Sequence, residues 1–188
     1  MVKKKIKLNE GFTLLEIIVA VSIFVLIIMI SGSLYTISQR SYTSSENKME
    51  LVQNGRVAFD RLSRELRQSV EVATPLASSS TETENEILFQ DGHDSDDITY
   101  IYYYLSGSDL RRAKIAYYFN EEPGIYVKYN SRNEENDPPE DVILEDKIVG
   151  EYFENIEFWG EYGLVYASST LVNRNEEFRI RTNIFSRN

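Results

Sequence analysis

Two places in the sequence gather residues that could do chemistry. Asp91-Gly92-His93-Asp94-Ser95-Asp96-Asp97 carries five oxygen-bearing side chains in seven residues, a density that suits a hard cation. Asp91, Asp94, Asp96 and Asp97 are the calcium candidates. Their order departs from an EF-hand loop, in which alternate Asp or Asn positions precede a glycine at the sixth place. An exposed turn between strands is therefore the preferred reading, and no metal site is assigned. His93 is the one histidine of the chain and has no recognisable nucleophile to serve. There is no Gly-x-Ser-x-Gly elbow, no glycine-rich phosphate loop, and no carboxylate pair that stands out in so acidic a chain. These exclusions point away from an enzyme and call for no cofactor. The second place is Glu16, a lone carboxylate inside an apolar run.

That run, Phe12 to Ser31, is twenty residues long and Glu16 is its only charge. As a helix it covers roughly 30 Å, the thickness of a bilayer core. Ahead of it, Lys3, Lys4, Lys5 and Lys7 against Glu10 give residues 1–11 a charge of +3, while the rest of the chain sums to −13. A positive flank stays on the cytoplasmic side. The acidic remainder argues against nucleic acid, which demands a basic face. The absence of cysteine excludes disulfides, thiolate metal sites and acylated-cysteine anchors. A cleaved export signal would fit Ser31-Gly32-Ser33 loosely, and a plain anchor would not be cut at all. Neither accounts for Glu16, whose carboxylate costs at least about 2.5–3.5 kcal/mol at the centre of a membrane helix, nor for Gly11 at the junction of leader and apolar run.

Gly11-Phe12-Thr13-Leu14-Leu15-Glu16, behind a short lysine-rich leader and ahead of an unbroken apolar stretch, resembles the processing signal of type IV pilins and type II secretion pseudopilins. The resemblance implies that a prepilin peptidase cuts between Gly11 and Phe12, on the cytoplasmic side, and methylates the new amine of Phe12. It also implies that Glu16 serves filament assembly by neutralising the Phe12 amine of a neighbouring subunit, with an inner-membrane assembly platform as a further partner. The chemistry is coherent in its own right. Glycine lets a peptidase approach the backbone closely, and cleavage removes four lysines that would resist extraction from a bilayer. Glu16 lies one helical turn from Phe12 and suits a helix N-terminus. Asn54 to Gln68, NGRVAFDRLSRELRQ, is similar to the corresponding helix of W-type minor pilins and of pseudopilin J, as is a last strand followed by a short polar tail. Some pseudopilins hold calcium in acidic loops, which is the context for the Asp91–Asp97 cluster.

The elements that must position these residues follow from periodicity. Leu51, Ala58, Leu62, Leu66 and Val70 recur at helical spacing, with Asp60–Arg64 and Arg61–Glu65 as i,i+4 pairs on the outward side. Pro75 and the run Ser78 to Thr81 punctuate the chain, so the helix is expected to reach from Phe12 to about Val72, with Gly32 and its flanking serines as a flexible joint. Beyond residue 81 the pattern changes to period two. Glu86–Gln90, Ile98–Leu105, Arg112–Asn120, Ile125–Asn130, Val142–Val149, Ile156–Trp159 and Glu177–Phe185 are the expected strands. Ile98–Leu105 and Arg112–Asn120 are paired as a hairpin across Ser106-Gly107-Ser108-Asp109. Eleven of thirteen tyrosines follow residue 71, which suits one curved sheet packed on a helix. The run Tyr100–Tyr104 reads as sheet and core ahead of a contact surface for another subunit. Asn130–Asp141 is an exposed loop.

The expectation is an α+β chain in which a long N-terminal helix packs on an antiparallel β-sheet head. Residues 1–11 form a cleaved leader, 12–31 the membrane and filament-core helix, 32–72 its amphipathic continuation and 73–188 the head. The expected function is that of a minor pilin or pseudopilin, a single-pass subunit of the cytoplasmic membrane with its head outside, which then enters a filament. The alternative is an anchored or secreted binding protein or hydrolase that uses the N-terminal segment only for export.

Overall fold

A computed structural model describes residues 12–93 and 97–186. The chain divides into two compact units at Ser45/Glu46. A single helix, α1 (Leu14–Gln68), contributes to both. It runs through Gly32, where nothing lies within reach of a notional Cβ, so the expected joint is continuous helix.

The helix stops at Gln68, four residues short of the expected end. Ser69 explains the stop, because its backbone N–H and its Oγ both donate to Leu66 O, at 3.3 and 2.8 Å. The hydroxyl competes with the next helical bond. From there the backbone is claimed by the sheet: Val70 N–H donates to Gln90 O, and Val72 bridges to Phe89.

Among the described residues eight strands follow, in two antiparallel sheets rather than the single sheet that was expected. In the five-stranded sheet β1 (Ile87–Gln90) pairs with β2 (Thr99–Ser106), and β2 pairs with β3 (Asp109–Tyr118). β4 (Tyr126–Val127) meets only Tyr117 and Tyr118 of β3, and β5 (Glu140–Gly150) pairs with β3 along its length. The anticipated hairpin is present. Ser106 pairs with Asp109 around a two-residue turn in which Gly107 takes φ of 66°, a value that favours glycine at the first turn position. The second sheet runs β6 (Phe153–Glu161), β7 (Leu164–Asn173), β8 (Glu176–Phe185).

β7 has no counterpart among the expected strands, because Ser168-Ser169-Thr170 interrupts its apolar pattern. It is nonetheless the central strand of its sheet. Buried Ser169 donates its hydroxyl to Asn155 O at 2.6 Å, and Thr170 N–H donates to Asn155 Oδ1 at 2.7 Å, next to the register shift in β6. A satisfied polar group can occupy a core strand. The fourth expected strand shrinks to two residues because the backbone turns at Lys128–Ser131, which lays Tyr129 edge-on against Tyr100, ring centroids 5.6 Å apart.

Both sheets share one core with the second stretch of the helix. Leu51, Ala58, Phe59, Leu62 and Leu66 project into it at steps of three, four and seven, meeting Phe89 and Leu110 from one sheet and Phe158 and Leu171 from the other. Fully burying a side chain of this size contributes about 1.5–3 kcal/mol. The helix approaches the second sheet closely at Gly55, where a Cβ would lie 3.1 Å from the Phe178 ring.

Candidate functional site

The first candidate site is the start of α1. Gly11, one side of the expected cleavage point, lies outside the described residues; Phe12, on the other side, is exposed. Thr13 and Glu16 form a reciprocal cap. Thr13 N–H donates to Glu16 Oε2 at 2.9 Å, its hydroxyl donates to the same oxygen at 3.0 Å, and Glu16 N–H donates to Thr13 Oγ1 at 3.3 Å. This is a capping box, with threonine as N-cap and glutamate at N3, and it satisfies backbone donors that a helix start otherwise leaves open. Sequence reasoning placed Glu16 opposite Phe12 and overlooked Thr13, although the T-x-x-E signature is present. Both bonds to the carboxylate use Oε2, so Glu16 holds its own helix start with one oxygen.

From Leu14 to Ser45 no residue of the helix is buried. It contains a stretch long and apolar enough to cross a membrane. Several of its hydroxyls turn inward on the backbone: Ser22 Oγ donates to Ile18 O, Ser33 Oγ to Met29 O and Thr43 Oγ1 to Gln39 O, at 2.8, 3.0 and 3.1 Å. Each of these three donors is thus satisfied within the helix, as an apolar surrounding favours.

The second constellation holds the head together. Glu65, expected to face outward with Arg61, points into the sheet instead. It keeps the Arg61 pair at 3.2 Å, accepts the Tyr103 hydroxyl at 2.7 Å, and accepts Arg112 Nε at 2.9 and 3.0 Å. Arg112 also reaches Glu145 at 3.3 Å. Burial works against the Arg112 charge, yet the hydrogen bond and charge of Glu65 hold its pKa above the ordinary value. Burial, reinforced by the Glu65 carboxylate, pushes the Tyr103 hydroxyl upward, so it stays a donor. This network joins helix to sheet. The sequence did carry a signal for it, since Tyr103 and Arg112 are cross-strand partners in the expected hairpin.

Around the acidic turn, Asp94 and Asp96 lie outside the described residues. Gly92 and His93 are exposed, as expected of a solvated turn, and among the turn's described residues Asp91 alone departs from it by being buried. Its Oδ1 accepts from His93 Nδ1 at 2.7 Å and from His93 N–H at 3.1 Å, and Lys114 Nζ stands 3.7 Å from Oδ2. Burial raises the Asp91 pKa, but the His93 hydrogen bonds and the His93 and Lys114 charges outweigh it and leave the carboxyl below its ordinary value. Asp97 is exposed. Among the described residues no three His, Cys, Asp or Glu side chains converge as a metal site would need. Of the run Tyr100–Tyr104, Tyr100, Ile101 and Tyr103 are buried, while Tyr102 and Tyr104 stack with centroids 4.9 Å apart on the face turned away from the helix. Comparison with known proteins gives no match to a family model, a curated protein or a solved structure.

Proposed function

We propose that this protein is a structural subunit of a type IV pilus or type II secretion-type filament, a minor pilin or pseudopilin. Its work is mechanical. A prepilin peptidase removes residues 1–11 at Gly11 and methylates Phe12. An inner-membrane assembly platform then moves the subunit from the bilayer into a helical bundle with other pilin or pseudopilin subunits, through residues 12–31. The head, from the cysteine-free remainder of the chain, is carried outside the cytoplasmic membrane.

The observation that carries this reading is the combination at the start of α1. A wholly exposed apolar helix begins with a capping box two residues beyond the expected scissile bond. A helix of that kind needs an apolar surrounding, and the same surface serves lipid before assembly and neighbouring helices after it. Glu16 satisfies its own helix start and brings a carboxylate to the point where the Phe12 amine of a neighbour would arrive. Pairing the two charges avoids the large cost of leaving either alone in an apolar core.

Intact-mass analysis of the chain from its native membrane tests the proposal. The expected result is loss of residues 1–11 together with a gain of about 14 Da for one methyl group on Phe12. A chain that begins at Met1, or near Leu34, overturns it. Glu16→Ala should still be cut but be depleted from sheared filaments; normal incorporation would remove the pairing role.

A further inference from the structure

Three long strands of the head lie at sheet edges; β6 makes backbone bonds with Ala77 and Glu84, and the other two, β5 and β8, treat their edges differently. β8 alternates. Its core face carries Phe178, Ile180 and Ile184, while its outward face carries Glu177, Arg179, Arg181 and Asn183. Alternating charges are a common way to keep an edge from pairing with the wrong chain. β5 is exposed on both faces from Glu140 to Leu144 and again from Asp146 to Ile148. Val142, Ile143, Leu144 and Ile148 are each more than a third exposed. No strand among the described residues pairs with β5 other than β3. Lys147 and the bulges at Leu144 and Val149 restrict what can pair with β5.

The pairing with β3 fixes which side chains share a face. Asp141, Ile143, Asp146 and Ile148 of β5 lie opposite Tyr117, Ile115, Ala113 and Arg111, on the face of the sheet turned away from the helix. Arg179 and Arg181 occupy the corresponding face of β8, where Arg181 stacks over Trp159 at 4.8 Å. The outward face of β5 is therefore aliphatic with two carboxylates, Asp146 paired to Arg111 of β3 and Asp141 without an ion-pair partner among the described residues, and that of β8 is centred on two arginines.

We propose that β5 receives β8 of a neighbouring copy of this chain, antiparallel, so that the five-stranded sheet of one head continues into the three-stranded sheet of the next. Asp146, which already pairs with Arg111 at 3.0 Å and accepts the Tyr104 hydroxyl at 3.0 Å, stands opposite Arg179 in this arrangement and meets it as a second cation. The bulge at Leu144 then brings Ile143 opposite Arg181 and leaves Asp141 diagonal to it, and Ile148 meets Glu177, with Arg111 on the strand beyond. Opposite and diagonal charge pairs of this kind are within reach across antiparallel strands. The exposed Arg179–Glu177 contact within β8, 2.8 Å, yields at little cost. Because the two edges differ, the contact is heterologous and leaves one unfilled β5 and one unfilled β8 at the ends of any row, so it repeats. The inference rests on the filament-subunit reading, to which it adds the contact between heads.

The test uses the absence of cysteine from the full chain. Ile148→Cys and Glu177→Cys, on separate copies co-produced in the native membrane and treated with diamide as oxidant, should give a disulfide-linked dimer. Either variant alone should give at least tenfold less, and a chain carrying both should run as a ladder. Adding Arg179→Glu should lower the yield several-fold. No dimer in the mixture, or an equal dimer from Ile148→Cys alone, overturns the contact. Intact mass of the same fractions separates the two ideas: processing at Gly11 without the crosslink removes only the strand contact, and the crosslink without processing removes only the filament reading.

Discussion

One helix lives in two surroundings. From Leu14 to Ser45 it buries nothing, and from Leu51 to Leu66 it buries Leu51, Gly55, Ala58, Phe59, Leu62 and Leu66. The secondary structure is the same and the backbone bonds are the same, so neither explains the difference. What differs is the source of the apolar surrounding. The second stretch finds it in the chain's own sheets, whereas the first presents apolar side chains all round as far as Ile30, a pattern suited to lipid or to other helices. The hydroxyls of Ser22, Ser33, Thr36 and Thr43 already donate to its own carbonyls, which lowers the cost of placing those four side chains in such a surrounding.

The sharpest way to break this comparison is to separate the two stretches. A fragment of residues 46–188 keeps every residue of the core and should be soluble and fold cooperatively without detergent, while the chain with residues 12–45 attached should need detergent or a bilayer. Circular dichroism and sedimentation in buffer alone decide it, and an aggregated or unfolded fragment would show that the two stretches depend on each other. Next in size, Leu62→Ala in that fragment should cost about 2–5 kcal/mol by denaturant unfolding. Leu26→Ala, in the exposed stretch, should leave head stability within about 0.5 kcal/mol in full-length protein.

Glu65→Ala comes third. It strips Arg112, Tyr103 and Arg61 of a shared acceptor and should cost about 3 kcal/mol. Glu65→Gln, which keeps the shape and one acceptor oxygen, should recover part of that. The smallest effect is electrostatic. Asp91 has its carboxyl pKa depressed on folding. Its contribution is therefore complete above the ordinary carboxylate range and is lost as pH falls below about 4. Asp91→Asn should lower stability at neutral pH and flatten the acid limb of the fragment's stability–pH curve. An unchanged acid limb would assign that dependence to other carboxylates.

Much of this was legible in the residues. The apolar run, the helical steps from Leu51 to Leu66 and the hairpin around Gly107 follow from period and turn chemistry, because each depends on neighbours in sequence. What stayed hidden depends on neighbours in space. The helix end at Gln68 is set by a sheet that claims the backbone beyond it. β7 is disguised by Ser168-Ser169-Thr170, and only the Asn155 backbone and side chain make those residues acceptable inside. Glu65 reads as half of a surface pair until Tyr103 and Arg112 arrive from the hairpin. The division into two sheets has no local marker, since a strand's sequence does not say which sheet it joins. At the start of α1, the glutamate was visible as an anomaly, while its bonds to Thr13 followed from a capping signature that was present and overlooked.

Glu50 gives the head a mechanical property. It accepts the Tyr152 hydroxyl, from the turn between β5 and β6, and the Asn173 amide, from the end of β7, both at 3.1 Å. These bonds sit one residue ahead of Leu51, the first core contact of the helix. Tension arriving along the backbone from residue 46 meets this clasp before it meets the core, and the load passes to the β5–β6 turn and to the end of β7. Beyond the clasp the helix side chains from Leu51 to Leu66 span roughly 22 Å and must slide together rather than peel one by one. A head anchored in this way yields in shear, at a rate governed by its unfolding barrier rather than by its equilibrium stability.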